Sequence, residues 1–225
     1  MNEQQWAFFK DFLGGFWESL YVQEQITSGE QDRLCLWLDE PEAKECAQRL
    51  FAERVVIIRS HKLKLRLKSL RETDGKSFDH IEVVFLGKKR RRRRRCFVGH
   101  RFLPNTERTL RWNLRQVLES YNVELDWSGA DIRSVQILDD IVTRIRAADF
   151  CIFDTRETEG KPNVYLEAGI CYAIRKPFIL FGHRPSAGSI PSDLGFALTV
   201  QYDSYRQLFR EFYYRLPLFF RRNVR

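Results

Sequence analysis

The chain has 225 residues, 44% hydrophobic and 14% aromatic, enough for one large domain or a small domain joined to a medium one. Its formal charge of +8 is local: residues 1–87 carry 12 basic and 15 acidic side chains, residues 96–225 carry 18 and 15, and residues 88–95 (KKRRRRRR) carry eight cations and no acid. No apolar stretch approaches the roughly 18 residues needed to span a bilayer, and the first residues, MNEQQWAFFKDF, carry acids where a signal peptide carries basic residues, so the expectation is a cytoplasmic protein without membrane contact.

Residues 3–25 place Trp6, Phe9, Leu13, Phe16, Trp17 and Leu20 at spacings of three and four, which predicts an amphipathic helix weakened at Gly14-Gly15. After a turn at Ser28-Gly29, Asp39 can cap a second helix that starts near Glu40-Pro41 and runs to about Glu53. From Arg54 the pattern becomes that of strands. Leu63, Leu65 and Leu67 alternate with Lys62, Lys64, Arg66 and Lys68, so one strand face is cationic, and Asp74-Gly75 turns the chain into DHIEVVFL at 79–86. Residues 1–87 thus read as a small α+β domain for regulation or assembly, or as a winged-helix-like module whose ribbon meets nucleic acid.

Residues 88–95 read as a basic linker. From Cys96 the order is strand, helix, strand, helix: CFVGH (96–100), a helix over 105–121, VELDW (123–127), a helix over 134–148, DFCIFDT (149–155), a helix over 163–175, and PFILFG (177–182). FALTVQY adds a fifth strand and residues 204–215 a closing helix. Apolar strands alternating with helical crossovers imply a parallel sheet covered on both faces, so residues 96–225 should form a doubly wound, flavodoxin-like α/β domain. The five cysteines form no CxxC pair and mostly sit in apolar segments, and the four histidines lack ligand spacing; a reducing compartment and no metal site are expected.

In such a sheet the ligand crevice lies beyond the carboxyl ends of the strands. Those ends are Gly99-His100-Arg101-Phe102, Asp154-Thr155-Arg156 and Phe181-Gly182-His183, and the third helix starts on the same side with Lys161-Pro162-Asn163. Within VYLEAGICYAI (164–174), Glu167 is the sole charged residue. A lone carboxylate in an apolar helix is either held by the helix N-terminus or placed for chemistry, since burial beside a crevice raises its proton affinity.

ADFCIFDT followed by KPNVYLEAGICYAIRKPFILF resembles the carboxyl half of nucleoside 2-deoxyribosyltransferase-like and bacterial TIR-like (Toll/interleukin-receptor-like) domains, and CFVGHRF looks like their first strand and loop. The resemblance covers about residues 94–202. It implies cleavage or transfer at the N-glycosidic bond of a nucleoside or of NAD, with Glu167 acting on the ribose and Asp154 helping to bind the sugar. It also implies an antiphage defence effector that works as a homo-oligomer or with a partner. Where deoxyribosyltransferases carry an aspartate six residues before the glutamate, this chain has Lys161, followed by Pro162-Asn163, so base exchange between deoxynucleosides does not fit.

The expected reaction is therefore cleavage of NAD(P) or a related nucleotide as substrate, with no cofactor. His100, Arg101, Asp154, Lys161 and Asn163 are the substrate-binding candidates, and the cations Arg101, Arg156 and Lys161 are suited to phosphates. A non-catalytic nucleotide-sensing scaffold uses the same crevice. Nucleic acid or an acidic partner is the alternative occupant for Lys62, Lys64, Arg66, Lys68 and Arg90, Arg91, Arg92, Arg93, Arg94 and Arg95, against a reading of the run as a solvated, self-repelling linker.

Overall fold

The computed structural model describes residues 33–38, 55–58, 63–85, 92–100, 104–128, 137–156, 163–185 and 198–224. The chain divides into two units, residues 1–71 with 75–90 and residues 72–74 with 91–225. The helices expected over 3–25 and 40–53, and therefore the test of the winged-helix reading, lie outside the described residues.

The first unit holds an antiparallel sheet of β1 (Arg33–Leu38), β2 (Val55–Ile58), β3 (Leu63–Arg71) and β4 (Ser77–Phe85), in the order β1-β4-β3-β2. The expected hairpin is β3 and β4, whose connection contains Gly75 at φ +87°, a conformation that costs a glycine little. Strand β1 gave no signal in the sequence; at its end the neighbours Trp37 and Leu38, on opposite faces, are both buried, which breaks the alternation that marks a strand. The cationic face of β3 needs correcting. Register places Glu82 opposite Arg66 and His80 opposite Lys68, and buried Lys68 pairs with buried Glu82 at 3.8 Å. Burial, aided by the Lys68 charge, lowers the His80 pKa to about 3, and its ring lies 4.8 Å from that of Trp37. Lys68 faces inward and does not reach an external polyanion, while Lys64 and Arg66 are half-buried.

The second unit alternates strands and helices: β5 (Arg94–Gly99), α1 (Pro104–Leu118), β6 (Val123–Trp127), α2 (Ile137–Ala147), β7 (Phe150–Asp154), α3 (Asn163–Ala173), β8 (Phe178–His183), β9 (Leu198–Tyr202) and α4 (Tyr205–Asn223). All five strands are parallel, in the order β6-β5-β7-β8-β9. This is the doubly wound, flavodoxin-like order, in which the chain reverses its direction of travel across the sheet between β5 and β7. Every residue of β7 and β8 is buried, as strands covered on both faces require.

One face of the sheet presents Phe97, Cys151, Phe153, Phe178 and Leu180 to Ile145 and Ala148, at the end of α2, and to Val164, Ala168 and Cys171 of α3. The other packs against α1 and α4: Phe150 meets Phe219 and Phe220 at 5.6 and 5.3 Å, and Phe181 meets Phe212 at 5.2 Å. Cys96, Cys151 and Cys171 are buried free thiols.

Two boundaries depart from expectation. Strand β5 begins at Arg94, so the last arginines of the supposed linker are part of the sheet, with Arg94 and Arg95 paired in register to Val123 and Glu124. Helix α4 continues past residue 215 through Pro217. An interior proline costs a helix about 3 kcal/mol. Beyond residue 215 the helix buries Leu216, Phe219 and Phe220, each contributing about 1.5–3 kcal/mol, so burial outweighs the break.

Candidate active site

Helix α3 carries Glu167 over the place where β5 and β7 end side by side. The reason it can sit there is Gly99, the last residue of β5. A Cβ at position 99 would collide with Glu167 Oε2 and lie 2.6 and 2.8 Å from Phe153 Cδ1 and Cε1. The missing side chain leaves the space that the carboxylate fills, at the topological switch point where ligands bind in this architecture.

Glu167 is 5% exposed. Ser128, the residue after β6, donates its hydroxyl to Glu167 Oε1 at 3.0 Å, while Oε2 is buried without a hydrogen-bond partner among the described residues. Burial raises the Glu167 pKa to about 7; the Ser128 hydrogen bond and the Arg144 charge oppose that rise. Arg144 is fixed by chelation of Asp126, through an Nη2 contact to Oδ1 and an Nε bond of 3.2 Å to Oδ2, and by a 2.7 Å bond to the Trp127 carbonyl. Its guanidinium lies 5.7 Å from the Phe97 ring centre. The site therefore combines a carboxyl poised near neutrality, one hydroxyl donor and one nearby cation.

Neither Ser128 nor Arg144 was among the expected site residues. Both had a readable signal: Ser128 follows a strand end on the crevice side, and Arg144 has an acid one turn earlier on its own helix, Asp140 at 3.6 Å, and another, Asp126, in the neighbouring strand.

The expected residues separate by face. Alternation along β7 puts Cys151 and Phe153 toward α3, and Ile152 and Asp154 toward α4. Asp154 is 1% exposed, and its Oδ1 accepts from the Tyr202 hydroxyl at 2.5 Å and the Arg156 amide at 3.2 Å. Arg156 stacks at 4.4 Å from the Tyr205 ring centre and 5.2 Å from that of Tyr202, and its Nε donates to the Tyr202 hydroxyl at 3.3 Å. His183 packs against Tyr202 at 5.1 Å, and burial lowers its pKa, helped by the Arg156 charge. This cluster fixes the loop after β7. It does not share the face of Glu167.

His100 also turns away, its buried ring edge-on to Trp127 at 5.4 Å on the α1 side. Asn163 is exposed at the first residue of α3, one turn before Glu167. Arg101 and Lys161 lie outside the described residues, as do Lys62, Arg90 and Arg91. Among the described residues no group of three or more His, Cys, Asp or Glu side chains is arranged to hold a metal ion, and no helix is long and apolar enough to cross a membrane.

No protein-family model matches the chain, and no match was found among curated proteins. Among solved structures, the chain is similar to a 2-deoxyribosyltransferase from the psychrotolerant bacterium Bacillus psychrosaccharolyticus, described as a biocatalyst for synthesis of antiviral and antitumoral nucleosides. The identity is 16%, the coverage 50% of this chain and 88% of the other, and the TM-score 0.38. A likeness of that depth carries no argument about activity.

Proposed function

We propose that the protein cleaves the N-glycosidic bond of NAD(P) or a related nucleotide, with Glu167 as the carboxylate that faces the ribose. The observation that supports this reading is the placement of one buried carboxyl, with a single oxygen hydrogen-bonded, over the switch point of the sheet. As a glycosidic bond breaks, C1′ of the sugar gains oxocarbenium character, and a preorganised carboxylate in a dry site stabilises that charge far better than water does.

Among the described residues Glu167 is the carboxyl placed at the switch point, and a reaction that asks for one carboxylate favours a particular leaving group. A neutral nucleoside base departs readily only when protonated, whereas nicotinamide is bound through a cationic ring nitrogen. The C1′–N bond breaks with its electron pair passing to that nitrogen, nicotinamide leaves neutral, and water adds to C1′ and releases a proton. One carboxylate suffices for this step. Asp154 acts through Tyr202 and Arg156, as a positioning residue. Asn163, with Arg101 and Lys161, remains a candidate for contacts to the rest of the nucleotide, whereas His100 faces the α1 side.

The likeness of KPNVYLEAGICYAIRKP to TIR-like sequences supports a role for this reaction in antiphage defence, with residues 1–87 as the module that regulates or assembles it. Incubating the purified chain with NAD, NADP and a panel of nucleosides, and separating the products by chromatography, tests the reading. Free nicotinamide is expected from wild type and none from Glu167→Gln. Equal turnover by the variant overturns the assignment, and saturable NAD binding without turnover by wild type at any oligomeric state replaces it with a sensor.

A further inference from the structure

A groove of about 580 Å³ opens at the edge of the α/β sheet opposite Glu167, where the strands begin and the helices end. Pro177, Phe178, Leu198, Phe219 and the more exposed Leu218 supply its apolar lining, and Tyr172, Arg215 and Arg222 border it. Tyr172 is 55% exposed.

The same edge collects cations that the proposed reaction leaves unused. The arginine run enters it at the start of β5. Arg92 pairs with Asp149 at 2.7 Å, Arg93 with Glu124 at 3.5 Å, and Arg94 lies 4.8 Å from the Phe220 ring centre. Three of the helices that follow add charge where they end: Arg146 in α2, Arg175 and Lys176 after α3, Arg221 and Arg222 in α4. These groups are neighbours. Lys176 Nζ donates to the carbonyls of Arg146 and Ala148, at 3.0 and 2.5 Å, and the Phe220 beneath Arg94 directly precedes Arg221.

Helix C-termini favour a cation on electrostatic grounds, which accounts for one or two per helix but not for the arginines that open β5. The carboxylates in contact with these cations, Asp149, Glu124 and, beside Arg215, Glu211 at 3.4 Å, are already paired. Arg95, Arg146, Arg175 and Arg222 are exposed and make no ion pair among the described residues.

We propose that this edge binds single-stranded nucleic acid, with the arginines on phosphates and an unpaired base stacked on Tyr172 in the groove. A cationic track beside an exposed aromatic ring is the arrangement that single strands select. A duplex presents no free base to a groove, and an anionic bilayer touches what projects from a surface, whereas the aromatic floor of this groove, Phe178 and Phe219, is recessed. The inference is independent of the glycosidic reading.

The test is fluorescence anisotropy with the full chain and a labelled twenty-nucleotide oligo-dT or oligo-U, titrated at several salt concentrations. Binding should weaken steeply with salt, by a log–log slope of about −0.7 per phosphate neutralised. The triple variant R146E/R175E/R222E should bind at least about tenfold more weakly and flatten that slope by about two. Tyr172→Ala should cost about fivefold or more with the slope unchanged. Unaltered circular dichroism of both variants separates these effects from misfolding. Binding that ignores salt, that survives the triple variant but disappears when residues 88–91 become glutamine, or that is seen only with phosphatidylserine vesicles, overturns the proposal.

Discussion

Glu167→Gln removes the charge of the buried carboxyl while keeping its shape and its role as acceptor from Ser128. A carboxyl whose folded pKa is about 7, against an ordinary value of 4.5, costs the fold nothing while it is protonated in both states. As pH rises past 4.5 the unfolded chain ionises and the folded one resists, so stability is lost progressively until pH passes about 7. The loss is about 1 kcal/mol at pH 5.5 and about 3 kcal/mol at pH 7 and above. Wild type should therefore lose stability relative to the glutamine variant over that window and run parallel to it outside. Urea unfolding at half-unit pH steps measures the difference, and hydrogen exchange of the 150–154 strand at matched pH assigns it to the α/β unit. Burying a glutamine amide adds an offset, but one that does not change with pH. A difference that stays flat from pH 4.5 to 8 would falsify the claim that Glu167 is held in a desolvated site.

Other outcomes follow from the same geometry. The kcat/KM for release of nicotinamide should rise with pH through an apparent pKa near 7, because the ionised carboxylate is the useful form; a profile that falls between pH 6 and 8 would assign Glu167 as an acid instead. Ser128→Ala removes a bond that favours the carboxylate, so that limb should move to higher pH, which the same rate profile reads. Gly99→Ala should destabilise the α/β unit by about 1–3 kcal/mol, since the buried Phe153 ring cannot swing clear, and should reduce turnover strongly by displacing Glu167; calorimetry and the nicotinamide assay read the two effects. Tyr202→Phe strips a hydrogen bond from buried Asp154 and should cost about 1–3 kcal/mol of stability while leaving the pH midpoint of turnover in place, because that cluster occupies the other face of the sheet.

The alternation of short apolar strands with periodic helices made the α/β unit legible, and its five strands follow the expected order of elements to within two or three residues at most ends. Pro217 misled the end of α4, because a local breaker carries no information about the aromatic surface waiting for Phe219 and Phe220. Strand β1 was hard to read because Trp37 and Leu38, successive residues on opposite faces, are both buried, and such a pair carries no period of two. At the site, Glu167 stood out as a lone charge, but its companions were assigned by which strand ends converge, without asking which face each side chain takes. Counting by twos from Gly99 and Phe153 separates them: Ser128 falls with Glu167, whereas Asp154 and His100 fall opposite. The arginine run looked like a linker because composition does not reveal that Arg94 and Arg95 have strand partners.

The fit between Gly99 and Glu167 has an evolutionary corollary. Although distant in the chain, the two positions are one feature written twice, and the order in which a lineage can change them is fixed. While the glutamate persists, drift at position 99 is closed to any residue with a side chain; once the glutamate is replaced by something short, Phe153 remains the main obstacle to one. Among related chains, a side chain at the first position should therefore coincide with loss of the acid at the second, and that joint pattern marks which relatives retain the chemistry and which keep only the scaffold.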